Sequence, residues 1–318
     1  MDQCFFDIHN DIILPERLNC PFYYEPAEAC REAWRAVMKD IEAMEEWHEE
    51  ISCGKMFGVM VVRTTDGKTG FLRAYSGQIG GREDWPGWVP AVFDYLSPGG
   101  YFMTREAEIS EINRAIDVGE RDLRVAMMRA RLSKVQEEAT RRIEEYRNMM
   151  AESKRKRRTR RENGEPEETL IRESQFQKAE LKRLKAAVAA EIKPIEDALG
   201  DHDMRMATLR RQRKEMSDRL QQWLFSNFIM MNSRGERRSL LEIFANTPQR
   251  IPPSGAGECC APKLLQYAFA HGMKPLAIAE FWWGRSPVGE IRHHLSHYPA
   301  CQGKCRPILD FMLQGLDV

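Results

Sequence analysis

Two long apolar stripes, spaced by three and four residues, occupy the middle of the chain. The first lies within residues 109–150 and the second within 181–220. This spacing lines apolar side chains along one side of a helix, and its length is typical of a coiled coil. Turn-forming residues separate the stripes at 162–167. The sequence therefore predicts two long helices that fold back on each other as an antiparallel coiled-coil hairpin.

A proline and a glycine interrupt the second stripe. Pro194 removes a backbone hydrogen-bond donor from a helix, and Gly200 loses more conformational freedom on folding than other residues do. We expect the second helix to be kinked or broken at these two positions.

The flanking regions have a different pattern. Strand-like runs at 55–63 and 70–78 flank the turn sequence Thr-Thr-Asp-Gly-Lys-Thr and predict a β-hairpin. A helix is expected over 28–51 and a further strand over 275–283. The predicted fold class is α+β, a compact mixed body into which the helical hairpin is inserted. The predicted parts are the N-terminal part of the globular domain at 1–103, the coiled-coil arm at 104–231, and the C-terminal part with a Cys/His cluster at 232–318.

Basic residues are concentrated in one segment, although the formal net charge is +0. The chain has 48 Lys and Arg and 48 Asp and Glu, but residues 104–230 hold 29 basic against 24 acidic residues. Seven of eight consecutive residues near the predicted turn are cations, which suit the phosphate backbone of RNA. The alternative is a charged tip that only keeps the arm solvated. The predicted RNA-binding residues are Lys154, Arg155, Lys156, Arg157, Arg158, Arg160 and Arg161.

Composition also bears on location and redox state. No apolar stretch approaches the roughly 20 residues that a membrane-spanning helix needs, so no membrane association is predicted. The first residues lack the basic and apolar regions of a secretory signal, which predicts a cytoplasmic protein. Eight cysteines among 318 residues are too few for a disulfide scaffold and point to metal binding, catalysis or burial.

Four cysteines lie near three histidines in the C-terminal part of the chain. Gly303 separates Cys301 from Cys305, and a turn there lets two sulfurs converge on one ion. The other ligands of a tetrahedral site would be Cys259 or Cys260 and one of His293, His294 and His297. The predicted ligands of a structural zinc ion are Cys259, His297, Cys301 and Cys305. Two alternatives stay open, namely ordinary buried thiols and a Cys nucleophile with a His base.

A set of short segments carries a family resemblance. They are residues 54–62, 76–78, 106–114, 178–185, 234–244, 257–259, 261–267, 279–284 and 298–301. Together they resemble the N-terminal half of a long-form branch of RluA-type RNA pseudouridine synthases, over most of the chain. The catalytic Asp of that family lies in an Arg-Leu-Asp motif, and this tripeptide does not occur here. No catalytic residue is therefore carried over.

This resemblance implies an accessory domain that directs an RluA-like synthase to structured RNA, either rRNA or tRNA. Such a domain is not catalytic by itself, so whether this chain is an enzyme stays undecided. The chain stops at Val318, about where the synthase domain of the family begins. The expected partners are RNA and a C-terminal synthase domain in a longer protein.

A looser resemblance is to the zinc-dependent nucleobase deaminases, which place ligands at the starts of two helices. The order here is a hairpin, Cys259 before a helix, a strand, and then Cys301 and Cys305 before another helix. The general acid/base Glu of that family would fall at Ala261, and the spacing of the later cysteines is one residue too long. This resemblance implies a deaminase-like three-layer scaffold without deaminase activity. The alternative function is a zinc-dependent deaminase-like or Cys-nucleophile enzyme in its own right.

Overall fold

The computed structural model describes residues 3–8, 13–23 and 25–318. The chain divides into two compact units. The globular unit comprises residues 1–104 and 219–318, and the helical unit comprises residues 105–218. In chain order the elements are β1 (Phe6–Asp7), α1 (Glu28–Ala43), α2 (His48–Ser52), β2 (Lys55–Arg63), β3 (Thr69–Tyr75), α3 (Tyr101–Glu120), α4 (Leu123–Glu162), α5 (Glu167–Asn227), β4 (Ile229–Met231), β5 (Arg237–Ser239), α6 (Leu240–Phe244), α7 (Cys260–Ala270), β6 (Lys274–Trp283) and α8 (Cys305–Met312).

A four-stranded antiparallel sheet in the order β1-β3-β2-β6 forms the centre of the globular unit. β2 and β3 form the predicted hairpin, in which Val59 lies opposite Arg73. On its other side β2 pairs with β6, where Phe57 lies opposite Phe281. The alternation of side chains along these strands produces two apolar faces. The protein is therefore a mixed α/β structure, and both faces of its sheet are apolar and available for packing against helices.

Helices cover both faces of this sheet. On one face α1 packs against β2 and β6 and buries Ala33, Val37 and Ile41 completely. On the other face α7 packs against the sheet through Leu264 and Leu265, and α8 packs on α7. Each fully buried Leu or Ile side chain stabilises the fold by about 1.5–3 kcal/mol relative to an exposed one.

The predicted single helix over 28–51 is wrong. The backbone leaves helical geometry at Met44 (φ −91°, ψ 74°), and a 3₁₀ turn at Glu45–Trp47 precedes α2. This turn places Trp47, only 1% exposed, among aromatic rings of the core. The ring of Trp47 lies 6.3 Å from that of Phe57 and 5.3 Å from that of Trp88, between ring centres. Burial of this side chain outweighs the local preference for a continuous helix.

Hydrogen bonds join α3 and α4 to α5 along the helical unit. The bonded pairs are Glu120 with Arg210, Arg129 with Asp203, Gln136 with Glu196, and Arg157 with Gln177. Residue numbers rise on one side while they fall on the other, so the helices run in opposite directions. Within the described residues, no helix has the length and apolar content required to cross a membrane.

The predicted break in the second helix is also wrong, since α5 continues through Pro194 and Gly200. A proline inside a helix costs about 3 kcal/mol or more, because one hydrogen bond is lost and its ring crowds the preceding turn. Side-chain contacts next to this position, such as the Gln136–Glu196 hydrogen bond of 3.3 Å, tie α5 to α4. Packing of this kind supplies most of the stability of helices in proteins and keeps α5 in one piece.

Candidate functional site

A cleft of about 500 Å³ lies at the N-termini of α7 and α8. This volume is within the range of roughly 300–1,000 Å³ typical of small-molecule sites. The ionisable and sulfur-containing side chains that line it include Glu258, Cys259, Glu280, Arg292, Cys301 and Cys305. The cleft therefore combines thiols, carboxylates and a guanidinium group in a small volume.

Three of the four predicted zinc ligands meet in this cleft. Cys259 immediately precedes α7 with an extended backbone (φ −73°, ψ 161°), and Cys305 is the first residue of α8. Cys301 lies in the segment before α8, as the predicted turn requires. The three thiols lie close enough to one another to interact electrostatically. Two helix N-termini thus bring distant parts of the chain to one sulfur cluster, Cys259, Cys301 and Cys305.

The thiols of the sulfur cluster differ in acidity. Hydrogen bonds from Cys259 and Cys305 hold the pKa of Cys301 well below its usual range. Contacts with Cys259 first and Cys301 second raise the pKa of Cys305, and the contact with Cys301 is the main cause that raises the pKa of Cys259 to about 12. Negative charge is favoured at helix N-termini, which suits a thiolate in this place.

As the side chains stand, no three His, Cys, Asp or Glu residues in the described parts of the chain are arranged to hold a metal ion. The thiols of the sulfur cluster lie close enough to influence one another's acidity. Zinc binds the deprotonated sulfur, so metal binding would displace the thiol protons. The donor set, three sulfurs beside a carboxyl group, has the chemistry that zinc prefers.

Cys260, the alternative to Cys259, does not join the sulfur cluster. It is fully buried, and its thiol donates to the backbone carbonyl of Met56 at 3.4 Å. Its Cβ lies against Gly58 of β2, where a larger residue would collide with it. Burial raises the pKa of the Cys260 thiol well above its ordinary value. Cys260 is therefore a packing residue.

His297 is not brought to the sulfur cluster. Its ring lies 5.0 Å from the Trp34 ring and 6.3 Å from the Phe281 ring, between ring centres. These two residues belong to the α1 face of the sheet, whereas the thiols lie on the α7 face. His294 accepts a hydrogen bond from the backbone of Gly284. The structure therefore brings together the three sulfurs predicted from the sequence but not the predicted histidine.

A buried carboxyl group, Glu280 of β6, takes a place beside the sulfur cluster. The residue is 5% exposed, and its Oε1 accepts a hydrogen bond of 3.0 Å from the backbone N–H of Ala261. Burial raises its pKa to about 7, the Cys301 sulfur adds to the rise and Arg292 opposes it. Glu280 was not among the site residues predicted from the sequence. The available signal was a single acidic residue in the otherwise apolar strand Leu-Ala-Ile-Ala-Glu-Phe-Trp-Trp, where a charge is rare.

The basic tip residues lie at the end of α4, and most of them have partners. Arg160 pairs with Glu165 and Glu173, and Arg161 pairs with Glu167. The further pairs are Lys156 with Glu152 and Arg158 with Glu162. Arg157 is 8% exposed and donates to Gln177. Much of the positive charge predicted to bind RNA is thus compensated locally.

A second buried carboxyl group, Glu83, makes the stability of the globular unit pH-dependent. Glu83 is 9% exposed, its Oε2 has no partner in the described structure, and burial raises its pKa from 4.5 to about 7. Between these values the folded state retains a proton that the unfolded state has lost. The free energy of unfolding therefore falls as the pH rises from about 4.5 to 7.

We expect Glu83→Gln to remove this dependence. The variant should gain about 1–3 kcal/mol relative to the natural protein between pH 4.5 and pH 8, as followed by urea denaturation. Glu49→Gln, a change at an exposed carboxylate, serves as the control. If Glu83→Gln changed the free energy of unfolding by the same amount at pH 4.5 and at pH 8, this explanation would be contradicted.

Comparison of this chain with known proteins finds no matching family model, no matching curated protein and no matching solved structure.

Proposed function

We propose that the globular unit is a zinc-dependent hydrolytic domain of the nucleobase-deaminase type, with its substrate site in the cleft. The observation that carries the proposal is the position of Glu280. In the deaminases, the general acid/base Glu lies two residues after the first ligand. Here that position is Ala261, and its backbone N–H binds the carboxyl group of Glu280. A carboxyl group thus reaches the expected place from the neighbouring strand.

The topology supports this proposal. β2 pairs antiparallel with both β3 and β6. After the hairpin come α3 to α6 with β4 and β5, and the chain then continues through α7, β6 and α8. Ligand-type residues stand at the starts of both helices, as in the zinc-dependent deaminases. Helices on both faces of the sheet correspond to the expected three-layer body. His297 is not part of the proposed site, so one metal position stays open for substrate or solvent.

The chemistry follows from the residues around the cleft. Cys259, Cys301 and Cys305 would hold the ion, and zinc when bound supplies Lewis acidity and a nucleophile at neutral pH. Glu280 is placed to accept a proton and return it to the leaving amine. Its buried position, 5% exposed, keeps bulk water away from the carboxyl group. The expected reaction replaces an exocyclic amine of a base by oxygen and releases ammonia.

The test combines metal content with ammonium release. The full chain, purified without chelator, should contain about one zinc ion, and it should release ammonium from RNA oligonucleotides that contain cytidine or adenosine. A chelator should stop the release, and added zinc should restore it. Protein without zinc would overturn the proposal. If the protein contained zinc but released no ammonium, the metal would have a structural role only.

The second candidate is the accessory RNA-directing role implied by the resemblance to RluA-type synthases. In this role the zinc is structural, and α4 and α5 form an antiparallel coiled-coil arm that carries RNA-binding residues at its tip. Lys154 and Arg155 favour it, since both are exposed and neither has an ion pair among the described salt bridges. The helices of 40 and 61 residues would extend roughly 60 and 90 Å.

Replacing Lys154 and Arg155 together by Gln tests this role. If both cations contact phosphates, the slope of log affinity against log salt should fall by about 1.4–1.8 for any RNA sequence. Lys182→Gln combined with Lys185→Gln is the matched control, since it removes the same charge from exposed positions of α5. Fluorescence anisotropy at several salt concentrations measures the slopes. Equal slopes for both double variants would exclude a special role of the tip.

A further inference from the structure

We infer that Arg292 is the anion anchor of the cleft and binds a phosphate group of a nucleotide substrate. This inference rests on the proposed function and deepens it by naming the class of substrate. Two observations support it: the way in which aromatic rings hold the guanidinium group, and a buried donor of that group that has no acceptor among the described residues.

The guanidinium group of Arg292 is held between two aromatic rings. Its central carbon lies 5.1 Å from the ring centre of Trp282 and 5.2 Å from that of Tyr298. Only 15% of the side chain is exposed, although the residue lines the cleft. Arginine stacks well on aromatic rings because its planar charge is weakly hydrated. The group is thus oriented before a ligand arrives, and little side-chain freedom is left to lose on binding.

The hydrogen-bond donors of Arg292 are only partly used by the protein. One terminal nitrogen donates to both carboxylate oxygens of Glu290, at 3.1 and 3.0 Å. The Nε–H is buried and has no acceptor among the described residues. Buried donors are almost always paired, so an unpaired one requires an explanation. A ligand that displaces the carboxylate of Glu290 and presents an oxygen atom to Nε supplies it.

Phosphate fits this arrangement better than other acceptors do. A guanidinium group offers parallel N–H bonds that match two oxygens of one phosphate. The carboxylate of Glu290 is 60% exposed and can move into solvent when a ligand replaces it. Glu258 and Glu280 line the same cleft and repel anions, so a phosphate binds toward its cations, Arg292 and Lys304. Of these two, Arg292 is the one held in place by aromatic rings. The cleft volume of about 500 Å³ is suited to a mononucleotide or one nucleotide of a strand.

The experiment compares ligands with and without phosphate. Isothermal titration of the zinc-supplemented full chain uses orthophosphate, cytidine and cytidine 5′-monophosphate. We expect the monophosphate to bind more tightly than cytidine, and Arg292→Gln to weaken the binding of monophosphate and orthophosphate by about 10- to 100-fold. Cytidine binding should not change. Arg285→Gln, a change at an exposed arginine near Arg292 in the chain, should alter none of these affinities.

The outcomes separate this inference from the proposed function. Equal weakening for cytidine and its monophosphate would show that Arg292 binds the base, and unchanged affinities would show that it binds nothing; both overturn the inference. Tighter binding of a cytidine trinucleotide than of the monophosphate supports it with an RNA backbone as the source of phosphate. Zinc content and ammonium release, measured on the same preparations, test the proposed function independently of these affinities.

Discussion

Cys301→Ser is expected to abolish stoichiometric zinc binding and to lower the stability of the globular unit. Structural zinc contributes apparent binding free energies on the order of 10–16 kcal/mol in zinc-finger peptides at neutral pH. The globular unit has apolar cores on both faces of its sheet, so we expect the variant to stay folded without the metal. If the variant loses about 5 kcal/mol of the free energy of unfolding, its melting temperature should fall by roughly 10–20 °C. Calorimetry with elemental analysis measures both effects.

Cys53→Ser provides the matched control, because Cys53 is an exposed cysteine outside the sulfur cluster. It should retain zinc and the melting temperature of the natural protein. A chelator should reproduce the Cys301→Ser effect on the natural protein and should add nothing to it in the variant. The same stability and zinc content in Cys301→Ser as in the natural protein would eliminate the proposed metal site.

Glu280→Gln is expected to lower ammonium release by about 10²- to 10⁴-fold, the usual contribution of a positioned acid or base. The Gln amide oxygen can still accept the hydrogen bond from Ala261, so folding and zinc content should be preserved. Steady-state kinetics with zinc-saturated protein should show the loss in kcat, with substrate affinity nearly unchanged. Glu49→Gln, at an exposed carboxylate that does not line the cleft, should retain full activity.

Two results would speak against this role of Glu280. Activity within a factor of two or three of the natural protein would show that another group carries the proton. Loss of zinc in Glu280→Gln would show instead that the carboxylate is a fourth ligand beside Cys259, Cys301 and Cys305. The metal measurement therefore has to accompany the kinetics.

Local patterns predicted the elements that have a clear period. The β-hairpin at 55–63 and 70–78 corresponds to β2 and β3, and the apolar run at 275–283 corresponds to β6. The long stripes correspond to long helices for the same reason, since a repeat of three and four residues buries one side of a helix only. The predicted break at Pro194 failed because contacts with α4, which are distant in sequence, stabilise α5 through that point.

The candidate site shows where sequence reasoning stops. Spacing alone predicted that Cys301 and Cys305 would lie together, since a short turn permits little else. The choice between Cys259 and Cys260 depends on which side of α7 faces the sheet. Successive side chains of a helix point in directions about 100° apart around its axis, so only one of the two thiols can face the cleft. His297 pairs with Phe281 in an isolated bridge, and its ring contacts the α1 face of the sheet. Neither the choice of Cys259 nor the position of the His297 ring can be predicted from the neighbouring residues in the sequence.

By itself, the sequence determined the strands β2, β3 and β6, the long helices, the sulfur-rich turn and the position of the basic tip, because these depend on residues close together in the chain. Only the tertiary structure decided which side chains share the cleft. Glu280 joins the sulfur cluster because β6 pairs with β2 and the alternation of the strand turns this carboxyl group toward α7. The charge of the tip likewise became clear only when the turn after α4 placed Glu165, and the first turns of α5 placed Glu167 and Glu173, against Arg160 and Arg161. Long-range strand pairing sets the position of Glu280, and the geometry of the turn between α4 and α5 sets the contacts at the tip; the apolar period of the sequence specifies neither.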